Sequence, residues 1–217
     1  MDLGYRKDSK EALPFEYYLK VYRETDPKDI EKRTGLTYDR KTSSFYLRLM
    51  GITYQITHPD FDVKHIDGEE IGWYPLESKA NARILVLRFL NEAVAAPSSG
   101  RFLTYCEIPW GEVYSKQFNG RCINRLAFGF GNKPEIFTEI MEKLGARRLN
   151  DGDVSYELEF MNDLQLHIIL WEGDEEFQPS AQILFSDNFP IAFNQGEDMA
   201  VVGDVTIDML KALDNLK

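Results

Sequence analysis

Three consecutive carboxylates, Asp174, Glu175 and Glu176, are the most concentrated group of chemically active side chains in the sequence. They follow Gly173 and lie between two apolar stretches that have the character of strands. Carboxylate oxygens bind Mg²⁺ and Ca²⁺, and crowding of like charges can raise a carboxyl pKa enough for general acid or base catalysis. Neighbouring residues of an extended segment point to different sides, however. The cluster is therefore a candidate ligand or acid–base site, and the alternative is a turn in which Asp174 accepts backbone N–H groups.

Arg121 and Arg125 are the second candidate group. They are four residues apart in a segment with helical periodicity, so they lie on one face of that helix. If the C-terminal strands pack on this helix, the two arginines face the 174–176 cluster, and the combined groups would bind an anionic ligand. The alternative is a structural pairing of arginine with carboxylate, which satisfies both charges without any ligand.

Trp73, Trp110 and Trp171 are candidates for an aromatic pocket that would take a small ligand. The alternative is that they are ordinary core residues. His58 and His65 flank two aspartates, but their spacing matches no zinc site. The sequence therefore predicts no metal site and no bound cofactor, and it assigns no catalytic residue.

The elements that must position these groups are read from periodicity and capping residues. Asp26 followed by Pro27, with Gly35 eight residues later, predicts a short helix with an N-cap, a proline in the first turn and a glycine C-cap. The remaining pattern predicts helices over 9–24, 77–96, 113–128, 134–144 and 207–216, strands over 44–50, 52–57, 102–107, 154–161, 164–171 and 181–185, and a polar connection over 59–73.

This order of elements predicts an α+β fold rather than a doubly wound sheet. We expect an antiparallel sheet with helices packed mainly on one side, in one compact domain that spans residues 1–217. Its parts are a helical N-terminal segment (5–35), a central helix with strands (43–107), further helices (112–145), and a C-terminal antiparallel meander with a helix (153–216).

The net charge of −11 is carried by the last third of the chain, where residues 150–217 contain 15 acidic residues and only Lys211 and Lys217 as basic ones. This charge repels phosphates and argues against nucleic acid binding. It permits a basic protein partner or a cation, with solubility through self-repulsion as the alternative. The sequence contains no run of about 18 apolar residues, so it predicts no membrane span. Its two cysteines are too few for a disulfide framework. We expect a cytoplasmic protein, and the oligomeric state stays open.

Several segments resemble an uncharacterised bacterial and archaeal family, the domain of unknown function 3786. The resemblance is carried by LHIILWEGDEEFQPSAQILF, by the acidic GEDMA segment, by RTGLTYD and by ILVLRFLNEAVAAPSSGRFLTYCEIPWGEVYSKQF. It extends from about Tyr5 to Leu216. One departure is local, because Ser186 stands before Asp187 where the family pattern has an acidic residue directly after ILF.

The resemblance implies little about function. Relatives that accompany iron–sulfur and corrinoid proteins of anaerobes suggest a non-catalytic binding or accessory module linked to metallo-cofactor metabolism. Two alternatives stay open: an enzyme with a carboxylate/arginine acid–base or divalent-cation site, and a small-ligand sensor.

Overall fold

One layer of the fold is an antiparallel β-sheet. The computed structural model describes residues 9–67, 70–193 and 195–216, and the sheet within these residues has nine strands. They are β1 (Tyr38–Asp39), β2 (Ser44–Leu49), β3 (Ile52–Thr57), β4 (Val63–Asp67), β5 (Phe102–Leu103), β6 (Arg147–Arg148), β7 (Val154–Met161), β8 (Leu164–Trp171) and β9 (Ser180–Ser186). The strand order is β4-β3-β2-β7-β8-β9-β5, with β1 paired to β2 and β6 to β7.

The sheet consists of two meanders, β2–β3–β4 and β7–β8–β9, whose members pair with their neighbours in sequence. The meanders meet where Leu49 of β2 pairs with Met161 of β7. Beside that pair, the backbone N–H of Met50 donates to the carbonyl of Phe160 at 3.0 Å. A tight turn at Asn162 and Asp163, with φ of 33° and 67°, joins β7 to β8. Asn and Asp adopt such left-handed backbone conformations more readily than other non-glycine residues.

The second layer is helical. Its members are α1 (Ser9–Glu24), α2 (Pro27–Thr34), α3 (Pro75–Ser78), α4 (Ala80–Glu92), α5 (Gly111–Phe118), α6 (Asn124–Phe130), α7 (Pro134–Lys143), α8 (Phe189–Ala192) and α9 (Gly196–Asn215). A π-helical segment, Asn119–Ile123, joins α5 to α6. Helix α9 is the centre of this layer, because it contacts α4, α5, α6, α7 and the π-helical segment. Most α9 residues are buried.

Burial alternates along the strands. In β3, Ile52, Tyr54 and Ile56 are buried, whereas the intervening residues are half-exposed. Such alternation shows a sheet with one face on the core and the other toward solvent. The predicted α+β class, with helices mainly on one side of an antiparallel sheet, is confirmed. No helix in the described ranges combines the length and the apolar character needed to cross a bilayer.

The structure also confirms the predicted α1, the capped α2 and the β7–β8 hairpin. The side chain of Asp26 accepts from the backbone N–H of Lys28 at 2.9 Å, and Gly35 has φ 71°. Residues 5–8 of the predicted N-terminal segment lie outside the described residues.

Five local predictions differ from the structure. The helix predicted over 113–128 is interrupted, because the π-helical segment Asn119–Ile123 separates α5 from α6. The polar 59–73 connection contains β4, and the strand predicted over 102–107 ends at Leu103. There Thr104 and Glu107 form a capping box that turns the chain into a 3₁₀ helix. The helix predicted over 77–96 is divided at Lys79, whose extended backbone (φ −128°, ψ 123°) separates α3 from α4.

The fifth difference is the most important for the site. The sequence predicted a closing helix only over 207–216, but α9 is one helix from Gly196 to Asn215. Asp204 and Asp208 interrupt the apolar pattern of this segment. Their carboxylates are paired within the helical layer, because Arg121 of the π-helical segment binds Asp204 and Arg125 of α6 binds both aspartates.

Candidate functional site

The acidic cluster at 174–176 lies in an exposed turn. Asp174 Oδ1 accepts hydrogen bonds from the backbone N–H groups of Glu176 (2.8 Å) and Phe177 (2.7 Å). The N–H of Asp174 donates in return to the Phe177 carbonyl at 2.9 Å. Gly173 packs close to Pro179 and Asn132, beyond the C-terminal end of α6. Asp174 therefore stabilises the turn, and the side chains of Glu175 and Glu176 are exposed.

Arg121 and Arg125 pair with aspartates of α9, which is the structural arginine–carboxylate pairing that the sequence left open as the alternative to an anion site facing the 174–176 cluster. Arg121 donates from Nε and Nη2 to one oxygen of Asp204, at 3.1 Å from Nε. Arg125 donates from Nη1 to the other oxygen of Asp204 at 3.0 Å and from Nη2 to Asp208. The pairing follows from spacing, because arginines and aspartates that are each four residues apart match across two packed helices.

The three tryptophans lie on separate elements. Trp110 precedes α5 and is 68% exposed, and Trp171 at the end of β8 is 37% exposed. Trp73 precedes α3 and packs against the core from a partly buried position. The cleft described next is lined by none of them.

A cleft of about 380 Å³ lies between α1, α4, the π-helical segment and α9. Its polar lining comprises Glu11, Tyr18, Asn81, Arg88, Arg121, Glu197 and Asp198. Helix α4 contributes Asn81, Ile84, Leu85 and Arg88, whose spacing places them along one side of the helix. Glu197 and Asp198 belong to the first turn of α9. Negative side chains are favourable there, because the N-terminal end of a helix carries partial positive charge.

Arg88 and Asp198 form a buried ion pair at the base of this cleft. Arg88 Nη1 donates to Asp198 Oδ1, and the two side chains are 11% and 4% exposed. Burial raises the pKa of the Asp198 carboxyl to about 6, and this effect outweighs the opposite effect of the Arg88 charge. The Asp198 carboxyl therefore changes between its protonated and ionised forms close to neutral pH.

The other edge of the Arg88 guanidinium has no hydrogen-bond partner, although Nη2 forms a longer ion pair with Glu92. Nε and Nη2 are both buried and make no hydrogen bond. Glu92 Oε2 lies 3.8 Å from Nη2, which is too far for a hydrogen bond. The Tyr18 ring covers the guanidinium at 5.4 Å. Nε and Nη2 form the edge that holds a carboxylate or phosphate through two parallel hydrogen bonds, so Arg88 has an unused site for an anion.

The π-helical segment forms one wall of the cleft and contacts α9 closely. Cys122 is fully buried, and its Sγ lies 3.5 Å from the Ala200 carbonyl. A Cβ atom at Gly203 would lie 2.6 Å from Cys122 Sγ, so the glycine permits this approach. Because single π turns within α-helices often occur at functional sites, this wall supports the choice of the cleft as the candidate site.

Sequence analysis had not singled out Arg88 and Asp198. Arg88 is a charged residue within the apolar run of α4, and such a residue is almost never fully buried without a partner. Asp198 lies in the GEDMA segment that carries the family resemblance. These signals were present, but they could not show that α4 and α9 bring the two residues together.

Among the residues that the structure describes, no three His, Cys, Asp or Glu side chains are grouped so that they could hold a metal ion. Cys106 is exposed and Cys122 buried, and neither is in a disulfide.

Comparison with known proteins supports the resemblance seen in the sequence. Residues 26–209 match the model of a family described as a domain of unknown function (DUF3786). No curated protein and no solved structure matches the chain. The family match includes α4, the π-helical segment, Asp198 and most of α9, and it covers most of the sequence. The chain therefore belongs to the DUF3786 family.

Proposed function

We propose that the protein is a non-catalytic binding module whose cleft between α1, α4 and α9 takes a small molecule with a carboxylate or phosphate group. The observation that carries this proposal is the unfilled Nε/Nη2 edge of Arg88. A buried donor without a partner costs about 1–3 kcal/mol, and more when the group is charged. An anion bound at this edge would remove that cost.

The other groups of the cleft suit such a ligand. Burial raises the pKa of Tyr18, so its hydroxyl stays protonated and can donate. Arg121 uses only Nε and Nη2 for Asp204, which leaves Nη1 for a second contact. Glu197 offers carboxylate oxygens to a hydroxyl or amino group on the ligand. The ligand would thus have an acidic group at one end and hydrogen-bond donors elsewhere.

The state of the buried thiol favours binding over nucleophilic chemistry. The pKa of Cys122 is raised to about 12, chiefly by burial and also by the charge of Asp204. Its thiol is therefore protonated at neutral pH, whereas the thiolate is the nucleophile.

An accessory role beside a metallo-cofactor enzyme, with corrinoid or iron–sulfur chemistry, is part of the same proposal and rests on the family resemblance. A basic partner protein would complement the acidic last third of the chain. Affinity capture with the full chain from a lysate of its native organism, at near-native concentration, tests this role. Recovery of a corrinoid or iron–sulfur protein supports it, and a clean absence of partners counts against it.

The binding proposal is tested by thermal-shift titration with inorganic phosphate, succinate, citrate and cobalamin. A ligand that binds only the folded state at a hundredfold excess over its Kd adds about 2.7 kcal/mol to the free energy of unfolding. Arg88→Lys keeps the charge beside Asp198 but removes the pair of donors at Nε and Nη2. We expect it to abolish the shift.

The matched control is Arg125→Lys, which changes an arginine that binds Asp204 and Asp208 outside the cleft lining. It should leave the shift unchanged. Equal loss of the shift in both variants, or no shift with any of the four compounds, argues against the cleft as an anion site.

An acid–base enzyme is the second candidate, because Asp198 lies in the same cleft with a pKa of about 6. A general acid or base works best when its pKa is near the working pH. In that case Asp198→Asn would retain ligand binding but lose turnover. The enzyme alternative also has a second version, in which the exposed 174–176 turn binds a divalent cation. It requires a Mg²⁺-dependent or Ca²⁺-dependent thermal shift that the double variant Asp174→Asn/Glu176→Gln loses.

A further inference from the structure

Helix α1 forms the outer wall of the cleft, and it lies outside the matched family region. The family match begins at residue 26, and α1 ends at Glu24. The Arg88–Asp198 pair and the remaining walls of the cleft lie inside the match. Helix α1 thus supplies one wall of the cleft, and the other walls lie inside the matched region.

The two ends of α1 are held very differently. At the C-terminal end, Tyr22 is fully buried, and its hydroxyl donates to the Thr57 carbonyl at 3.1 Å. The ring of Tyr22 packs against His58 and Phe61 with centroid distances of 4.9 and 5.6 Å. Toward the N-terminal end the helix is mostly exposed, and Leu13 and Tyr17 are each 62% exposed. The helix is therefore anchored most firmly at its C-terminal end, and Phe15 and Tyr18 pack on the core from partly buried positions.

Beneath α1 lies an unusual concentration of unpaired polar atoms. Five buried side-chain nitrogen or oxygen atoms in the described part of the chain make no hydrogen bond, and four of them belong to α4. They are Arg83 Nε, Arg88 Nε, Arg88 Nη2 and Asn91 Oδ1. Aromatic rings of α1 cover the two guanidinium groups, with Phe15 at 5.2 Å from Arg83 and Tyr18 at 5.4 Å from Arg88. Asn91 donates to the Tyr18 carbonyl at 2.8 Å.

This arrangement sets two effects against each other. Docking of α1 buries Phe15 and Tyr18 partly and gains two cation–π contacts. In this arrangement four buried polar atoms of α4 near α1 make no hydrogen bond, and each such atom is costly. Movement of α1 away from α4 would let water or an anion reach these atoms.

We propose that α1 is a lid that pivots near Tyr22 and controls access to the Arg88 edge. In the closed arrangement the Tyr18 ring covers the place through which an anion reaches Nε and Nη2. In the open arrangement Arg83, Arg88 and Asn91 face solvent together. The proposal rests on the proposed function for the identity of the ligand, but the movement itself can be tested without any ligand.

Arginine labelling with phenylglyoxal, read by peptide mass spectrometry, tests the lid in the full chain. Native-state hydrogen exchange is measured on the same samples. In the wild type, we expect amides in the first half of α1 to exchange at least tenfold faster than amides in α4. Arg88 should be labelled under native conditions, at a rate that follows α1 exchange rather than global unfolding.

Tyr18→Ala should raise Arg88 labelling about tenfold. The matched control Tyr17→Ala removes the adjacent exposed ring and should change the rate less than twofold. If α1 and α4 exchange at the same slow rate in the wild type and Arg88 is labelled only on global unfolding, the lid is overturned. This wild-type comparison decides the question even if Tyr18→Ala folds poorly.

The two proposals fail separately. If α1 opens but none of the four anions stabilises the protein, the movement is established and the binding proposal is refuted. A stabilising anion with no opening of α1 would support the binding proposal and refute the lid, because the anion would then reach Arg88 without any movement of α1.

Discussion

Arg88 on α4 and Asp198 on α9 form an ion pair whose two side chains are both almost fully buried, yet the arginine satisfies only part of its hydrogen-bonding capacity. Burial opposes the charge on Asp198 more strongly than Arg88 favours it. The pair joins the two helices, and the protonation state of Asp198 therefore influences the stability of the fold.

The first prediction concerns pH. The pKa of Asp198 is raised from 3.8 to about 6 on folding, so the folded protein binds this proton more tightly than the unfolded chain. The stabilising contribution is fully present below about pH 4 and is lost as the pH rises through about 6, a change of about 3 kcal/mol.

Urea unfolding of the wild type and Asp198→Asn at several pH values measures this change. Carboxylates with lowered pKa values, such as Asp208 and Glu157, act in the opposite direction in both proteins. The free energy of unfolding of the wild type minus that of Asp198→Asn therefore isolates the contribution of Asp198. This difference should fall with rising pH. A difference that is flat between about pH 4 and pH 7 would contradict the raised pKa.

The second prediction concerns Asp204, whose side chain is 12% exposed and binds both Arg121 and Arg125. Asp204→Ala leaves two partly buried arginines without this partner, and we expect the free energy of unfolding to fall by about 2–3 kcal/mol. Asp214 pairs with Lys133 at 3.1 Å on the surface, so Asp214→Ala should cost less than about 1 kcal/mol. Equal effects of the two substitutions would show that the Asp204 network contributes little.

The third prediction concerns the close contact between α9 and the π-helical segment. Gly203→Ala places a methyl group against Cys122 Sγ and should destabilise the protein by about 1–3 kcal/mol through overpacking. Cys122→Ala should recover part of this loss in the double variant, because it removes the sulfur atom. Gly120→Ala is the control, since a Cβ atom there has nothing within 4 Å. It should stabilise the helix by up to about 1 kcal/mol.

The fourth prediction concerns the two thiols. Cys106 is exposed, whereas Cys122 is buried and its pKa is raised to about 12. A disulfide reagent such as Ellman's should modify one thiol per chain in the native protein and both in guanidinium chloride. Rapid modification of two thiols under native conditions would show that the contact between Cys122 and α9 opens readily.

The sequence was a good guide to the elements that have strong local signals. The bounds of α1 and the β7–β8 hairpin were predicted from periodicity, and α2 from its caps, because local interactions determine them. Helix α9 was missed in part because Gly203, Asp204 and Asp208 weaken its local signal. Its continuity depends on contacts with Arg121, Arg125 and Cys122, which are distant in sequence.

The site was harder to predict for the same reason. The 174–176 cluster attracted attention through its composition, but charge density alone does not separate a turn from a site. Arg88 and Asp198 are 110 residues apart in sequence, and only the packing of α4 on α9 brings them together. Arg121 is the one predicted site residue that lines the cleft, and it was chosen because it shares a helix face with Arg125.

The single residue pair between β2 and β7 has a consequence for how the chain assembles. Each meander forms from strands that are adjacent in sequence and join through short turns, so its loop-closure entropy is small. Leu49 and Met161, by contrast, are separated by more than half of the chain. We expect the two meanders to form early and this seam to close late, since distant contacts form slowly. The seam is then the place where a partly folded chain exposes two strand edges, and the rate at which it closes would limit how long those edges are open to aggregation.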